Sequence, residues 1–164
     1  MTKENKAILN ELFKATQRLK YPSFPEHYHH DYKHSDNSTN ALTRCVVDFL
    51  NYSGHFAERV SNTGRFIAGK TIDGVNGKFT TQGKFIKGTG VNGRADISAK
   101  IKLPSMRYAI PVEIEIKFAK DRMSAKQKEY QSKMDNVGAE YWVVRTFDDF
   151  IIQYNNLCAS SINP

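Results

Sequence analysis

Two segments with strict two-residue alternation, 95–102 and 108–118, constrain this chain more than anything else in it. In the first, Ala95, Ile97, Ala99 and Ile101 fall on one side, and Asp96, Ser98, Lys100 and Lys102 on the other. In the second, Val112, Ile114 and Ile116 oppose Glu113, Glu115 and Lys117. Alternate side chains of a strand point to opposite faces, so both segments predict strands with one apolar face. The stretch Pro104 to Arg107 is short enough to join them as a hairpin. Antiparallel pairing then brings Asp96 opposite the Glu113, Glu115 and Lys117 row.

The flanking sequence supplies what packs on that sheet. Residues 3–19 read as a helix, with Ile8, Leu12, Ala15 and Leu19 at helical spacing. Prolines at 22 and 25 end it, and residues 20–37 read as a loop. A second helix starts at Ser38 or Thr39, carries Leu42, Cys45, Val46, Phe49 and Leu50 on one stripe, and stops at Gly54. Both helices are expected to pack on the sheet. Residues 64–93 hold eight of the ten glycines, which predicts short strands and tight turns, including the Asn76-Gly77 step. A helix over 124–137 presents Tyr130, Met134 and Val137 and ends at Gly138. A strand over Tyr141 to Val144 and a helix over 147–157 complete the chain. This order predicts an α/β fold with a mixed central sheet flanked by helices. All 164 residues form one domain: 1–37 an N-terminal helix and loop extension, 38–150 the core, 151–164 a C-terminal tail.

Composition excludes several classes. No apolar run reaches the ~18–20 residues of a membrane span, and the polar N-terminus is not a secretory signal. Two cysteines, Cys45 and Cys158, rule out a disulfide scaffold or a four-cysteine zinc site. A reducing, cytoplasmic setting is the expectation. The net charge is +7. Residues 61–117 hold 10 basic and 4 acidic side chains, whereas the segments on either side are nearly balanced. A polyanionic partner should be met there. Arg65, Lys84, Lys87, Arg94, Lys100 and Lys126 are the candidate phosphate contacts, and the interleaved Phe66, Phe79 and Phe85 are assigned to the core.

An acidic row inside the most basic segment has a specific chemistry. Close carboxylates repel and need a cation between them. Mg²⁺ takes hard oxygen ligands, binds phosphate and acidifies water. Lys117 beside such a site can orient water or neutralise charge, and its protonation state is left open by opposing effects of burial and carboxylates. The plain alternative is a solvated Glu/Lys edge. Gln127 also has two readings. Ser124-x-x-Gln127 is a capping box, yet Gln127 lies on the inward stripe and can line the site. His27, His29, His30 and His34 lie close in sequence, but a loop without cysteines is a poor zinc site.

The run Gly90-Val-Asn-Gly93-Arg-Ala-Asp96, then Val112-Glu-Ile-Glu115-Ile-Lys117, Ser124-x-x-Gln127 and Gly138-x-x-Tyr141 resembles the PD-(D/E)xK nuclease superfamily. More narrowly it is similar to the VRR-Nuc group of small stand-alone nucleases, including phage-borne ones. The upstream Glu58-Arg59 and Asn62-Thr-Gly64-Arg65 also match, as does the helix from Asn40 to Gly54. The resemblance spans about residues 38–150. It implies a restriction-endonuclease-like core and Mg²⁺- or Mn²⁺-dependent phosphodiester hydrolysis. It implies Asp96, Glu115 and the Ile116 carbonyl as metal ligands, Lys117 as the catalytic lysine and Gln127 at the site. One departure is clear: where the group often has a glutamate early in its first core helix, this chain reads Ser38-Thr39-Asn40. Asn40, Glu113 or Glu58 stands in, or a second metal is absent.

The functional expectation is a metal-dependent DNA endonuclease acting on branched or nicked DNA, a Holliday-junction resolvase or nickase. A resolvase cuts two symmetric strands, so it implies a homodimer, with the aromatic segment 21–32 as a candidate interface. The alternatives are a flap or repair nuclease, a non-catalytic DNA-binding module on the same fold, and a basic RNA-binding domain.

Overall fold

The computed structural model describes residues 1–61, 64–74, 77–86, 88 and 90–160. The Asn62 and Asn76 turn positions, Lys87 and residues 161–164 lie outside them. Helix α1 runs over Lys3–Lys20 and α2 over Thr39–Tyr52, with a 3₁₀ turn at Glu26–Tyr28 between them. Strand β1 (Phe56–Arg59) is followed by four short strands, β2 (Arg65–Ile67), β3 (Thr71–Gly74), β4 (Gly77–Thr80) and β5 (Lys84–Ile86). Then come β6 (Ile97–Ile101), β7 (Ile110–Ile116), α3 (Ala125–Asn136), β8 (Glu140–Val144) and α4 (Phe147–Ser160).

The central sheet has the order β1-β6-β7-β8. β1, β6 and β7 pair antiparallel, and β8 joins β7 in parallel. A parallel return needs a crossover, and α3 supplies it. The result is a mixed α/β fold with helices on both faces of a mixed sheet.

One sheet face carries the main core. Ile97, Ala99, Ile101, Val112, Ile114, Ile116, Trp142 and Val144 are buried against Leu42, Val46, Phe49 and Leu50 of α2 and Phe147, Phe150 and Ile151 of α4. Each Val, Leu, Ile or Phe among them contributes about 1.5–3 kcal/mol by leaving water. Ser38 caps α2 by accepting from the Ala41 N–H, and Gly54 takes φ +81° where the helix stops. The stripe expected on α2 is therefore the one buried.

Helix α1 differs from expectation in partner and in face. It packs on α2 and α4 rather than on the sheet. Leu9 is fully buried, and Leu12 and Phe13 pack beside it, while Ile8 and Leu19 are 47% and 85% exposed. The groove between two helices is narrow, and it takes Leu9 and Phe13, one turn apart, with Phe13 edge-on to Tyr32. Asp148 at the start of α4 fixes the arrangement by accepting from the Thr2 and Asn5 side chains. The final helix continues to Ser160, and its Ile151 is core.

Three further expectations are corrected. Ala95 leaves the face of Ile97 and packs with Tyr130 and Tyr141 under α3, because the chain bends at Asp96 before β6 begins. Val137 at the end of α3 is exposed. Phe66, Phe79 and Phe85 are not core: each is more than 60% exposed. They lie on a ribbon in which β2 pairs β5 and β3 pairs β4, outside the central sheet.

Candidate active site

Strand β7 carries Glu113 and Glu115 toward α3, and Lys117 follows one residue past its end. This face is not a solvated edge. Glu113, Glu115 and Lys117 are 9%, 2% and 4% exposed. Burial of three ionisable groups on one strand costs free energy unless each is paired or put to use.

Register places Ile97 opposite Ile114 and Ser98 opposite Glu113. Just before β6, continued register would set Asp96 opposite Glu115, and its side chain reaches one residue further: its Oδ2 accepts from the Ile116 N–H at 3.0 Å. The Lys117 N–H donates to the Val144 carbonyl on β8 at 2.9 Å, and the N–H and C=O of a trans peptide point opposite ways. The Ile116 carbonyl therefore faces the Asp96 side too.

Lys117 Nζ lies 2.9 Å from Glu115 Oε1 and 3.3 Å from Asp121 Oδ2. It also donates to Gln127 Oε1 at 3.1 Å. The Gln127 amide group donates to the same Glu115 oxygen. The other oxygen, Glu115 Oε2, is buried with no hydrogen-bond partner among the described residues. Burial pushes the Glu115 carboxyl above its ordinary range, and the nearby Asp96 charge adds to this while Lys117 opposes it. Burial acts downward on Lys117, but its bond to Glu115 and the charges of Glu115 and Asp121 outweigh that and raise it. Lys117 is thus an ammonium at neutral pH.

Gln127 both caps α3 and faces the β7 residues. Its Oε1 accepts from the Ser124 N–H at 2.8 Å and its own N–H donates to Ser124 Oγ, which completes the capping box. The same oxygen accepts from Lys117. The start of α3 is pressed onto the strand by Gly93, at φ +81°, where a Cβ would run into the Lys126 carbonyl. Close approach at the Gly90-x-x-Gly93 loop is therefore made by α3.

Asp121 and Arg145 belong to the site and had no signal in the sequence. Arg145 donates to the carbonyls of Ala119 and Asp121, at 3.2 and 3.1 Å. It holds the turn after Lys117, in which Ala119 takes φ +50°. That is a sparsely populated conformation for alanine, of the kind found beside functional groups. Tyr141 lines the same face. Its hydroxyl is buried without a partner, and burial with the nearby Glu115 and Asp96 charges raises its pKa.

Glu113 is turned to other partners. Ser98 Oγ donates to its Oε1 at 2.9 Å, and Arg94 Nε lies 3.8 Å from its Oε2. Glu113 thus does not join Asp96 and Glu115 in one carboxylate cluster. No group of three His, Cys, Asp or Glu side chains placed to hold a metal ion occurs among the described residues. Asn40 is exposed in the first turn of α2, with no hydrogen bond to Asp96, Glu115 or Lys117, and Glu58 is exposed opposite Ser98. The histidines do not converge either: His27, His29 and His34 each pack against an aromatic ring of their own loop.

The basic residues divide. Arg65, Lys84, Lys100 and Lys126 are exposed, and Lys100 sits 5.1 Å over the Phe56 ring. Arg94 is half-buried, with its Nε 3.8 Å from Glu113 Oε2. Lys87 lies outside the described residues. In the segment 21–32, Tyr21, Phe24 and Tyr28 line an open cavity of 270 Å³ with Phe13 and His29, whereas Tyr32 is buried and donates to Asp48 at 2.7 Å.

Comparison with protein-family models, curated proteins and solved structures finds no match to this chain. The functional reading therefore rests on its own residues. No helix among the described residues is long and apolar enough to cross a membrane.

Proposed function

We propose that this chain is a divalent-metal-dependent DNA endonuclease with a restriction-endonuclease-like core, selective for branched or nicked DNA. The observation that carries the reading is the convergence of Asp96, Glu115, Lys117 and Gln127 at one end of the inner strands β6 and β7, with Glu115 Oε2 buried and unpartnered among the described residues. A buried carboxylate oxygen with no donor fits a hard cation, and Asp96 stands next to it.

In this reading Asp96, Glu115 and the Ile116 carbonyl hold a Mg²⁺ or Mn²⁺ ion. When bound, it supplies Lewis-acid polarisation of a phosphate oxygen and acidifies a water. The Lys117 ammonium neutralises negative charge that builds up on the scissile phosphate. Its contacts with Glu115, Asp121 and Gln127, all acceptors, fit a charged donor. Gln127 fixes the Lys117 and Glu115 side chains relative to one another, so that little reorganisation is needed when DNA arrives. In this reading the exposed Lys126 on α3 and Lys100 on β6 contact backbone phosphates, which sets orientation without reading sequence.

The test is cleavage of supercoiled plasmid, a four-way junction, a flap and linear duplex, with Mg²⁺, Mn²⁺ or EDTA. Metal-dependent cutting is expected, and Asp96→Ala or Lys117→Ala should abolish it while the chain stays folded. No cutting of any substrate overturns the enzyme reading. Cutting that survives in both variants overturns the site. Equal rates on junction and linear DNA overturn the selectivity.

A further inference from the structure

The β2–β5 and β3–β4 ribbon has no role in the core. Each strand residue whose side chain is described there is exposed. An isolated two-stranded ribbon is only marginally stable in water, and large exposed apolar side chains in a cluster mark a contact surface. Phe66 and Phe85 are the middle pair of β2 and β5.

Register places Phe66 directly across from Phe85, on one face of the ribbon. Their support is specific. A Cβ on Gly83 would overlap the Phe66 ring, and a Cβ on Gly64 would overlap the Phe85 ring. Each phenyl ring is therefore laid against a glycine backbone, in the manner by which aromatic side chains cover strand glycines. One side of the ring is taken by the backbone. The other is in water, and the rings are 66% and 62% exposed.

The charge of the ribbon selects the partner. Residues 64–86 carry four basic side chains and one acidic. Arg65, Lys70 and Lys84 have no ion-pair partner among the described residues. A second copy of this chain docking through a two-fold axis would set one cationic ribbon against another. A polyanion would not. Flat aromatic faces on one side of a narrow ribbon, with unpaired cations on the other side at its edges, suit bases whose π-faces are open and whose phosphates lie alongside. In intact duplex those faces are covered by neighbouring base pairs. They are open in single strands and at branches.

We infer that the Phe66–Phe85 pair is a stacking platform for unpaired bases of DNA, with Arg65 and Lys84 reaching the adjoining phosphates around the edges of the two-stranded ribbon. This rests on the DNA-endonuclease reading and deepens it: the ribbon is the part of the chain that senses a branch or gap.

The experiment measures binding of the full chain to a fluorescent oligo(dT) 20-mer and to a 20-base-pair duplex. It is done in EDTA at one fixed salt concentration, because phosphate contacts are strongly salt-dependent. The wild type should prefer the single strand. Phe66→Ala/Phe85→Ala should lose about 10- to 100-fold on the single strand, the range expected when stacked aromatics are truncated, with duplex affinity unchanged. Phe66→Trp/Phe85→Trp should retain single-strand binding, which separates stacking from mere folding of the ribbon. Equal loss on both ligands, or loss in the Trp variant equal to that in the Ala variant, overturns the inference. So does a dimer in sedimentation that the Ala variant dissolves while DNA binding is unaffected. Binding without metal is independent of cutting. A chain that prefers single strands but cuts nothing defeats the endonuclease reading, while one that cuts but shows no such preference defeats the platform alone.

Discussion

Replacing Lys117 with methionine isolates the energetics of the buried pair. Lys117 and Glu115 have side chains 5% and 3% exposed and 2.9 Å apart. At an effective dielectric constant of 20, charges at that separation attract by about 6 kcal/mol. Removing each ion from water costs several kcal/mol, so the intact pair contributes little net stability. Breaking it does not. Lys117→Met leaves Glu115 buried beside Asp96 with no cation, a change that costs about 3–5 kcal/mol. Glu115→Gln should cost less, because Lys117 keeps Asp121, whose side chain is 57% exposed and free to follow it. The double variant Glu115→Gln/Lys117→Met leaves neither member of the buried pair charged, with Asp121 exposed to water, and should be more stable than Lys117→Met alone.

The pH dependence has a definite sign. The Glu115 carboxyl is raised in the folded chain, and losing Lys117 raises it further. Folded Lys117→Met then holds a proton that the unfolded chain releases above about pH 4.5, so its stability falls by up to about 1.4 kcal/mol per pH unit as pH rises. The deficit relative to wild type should be large at pH 8 and small at pH 5. Urea unfolding in EDTA, followed by fluorescence of the buried Trp142, measures this directly. A deficit that does not change with pH, or a double variant that costs the sum of the single ones, refutes the account.

Three other outcomes are expected. Ser124→Ala removes only a helix cap and should cost about 1 kcal/mol of stability with cutting retained, whereas Gln127→Ala loses the cap and also frees Lys117, so cutting should fall steeply as well. Gly93→Ala meets both a positive φ and the Lys126 carbonyl, so it should destabilise by more than 1 kcal/mol and raise the KM for DNA by shifting α3; unchanged stability by urea unfolding counts against that packing. Burial pushes the Cys45 thiol up to about 11; the folded chain keeps that proton after the unfolded chain has lost it, so stability declines from about pH 9 to 11, and Cys45→Ala should flatten that part of a chemical-denaturation series against pH.

Local pattern was enough for much of the framework. Period two marked β6 and β7, and period 3.6 marked α2 with its buried stripe. Ser124 and Ser38 are caps because a hydroxyl three residues before a free N–H can bond it in any context. Spacing alone also put Asp96, Glu115 and Lys117 on one side of a hairpin. Other features depended on distant partners. The face that α1 buries was set by a groove between α2 and α4, so Leu9 went in and Ile8 stayed out. Glu113 has the same strand phase as Glu115, yet Ser98 and Arg94 claimed it. Asp121 and Arg145 became part of the site through a turn that no residue pattern announces.

The sharpest contrast is between two sets of residues with similar sequence signals. Glu113, Glu115 and Lys117 look like a wet strand face, but α3 covers them and makes their charges expensive and directional. Phe66 and Phe85 look like core, but their ribbon folds outside the sheet, and each ring is left with one open side. The sequence by itself determined which side chains share a strand and a face, because backbone period is local. Which of those faces met water was decided only by the tertiary structure, because covering a face takes another element from elsewhere in the chain.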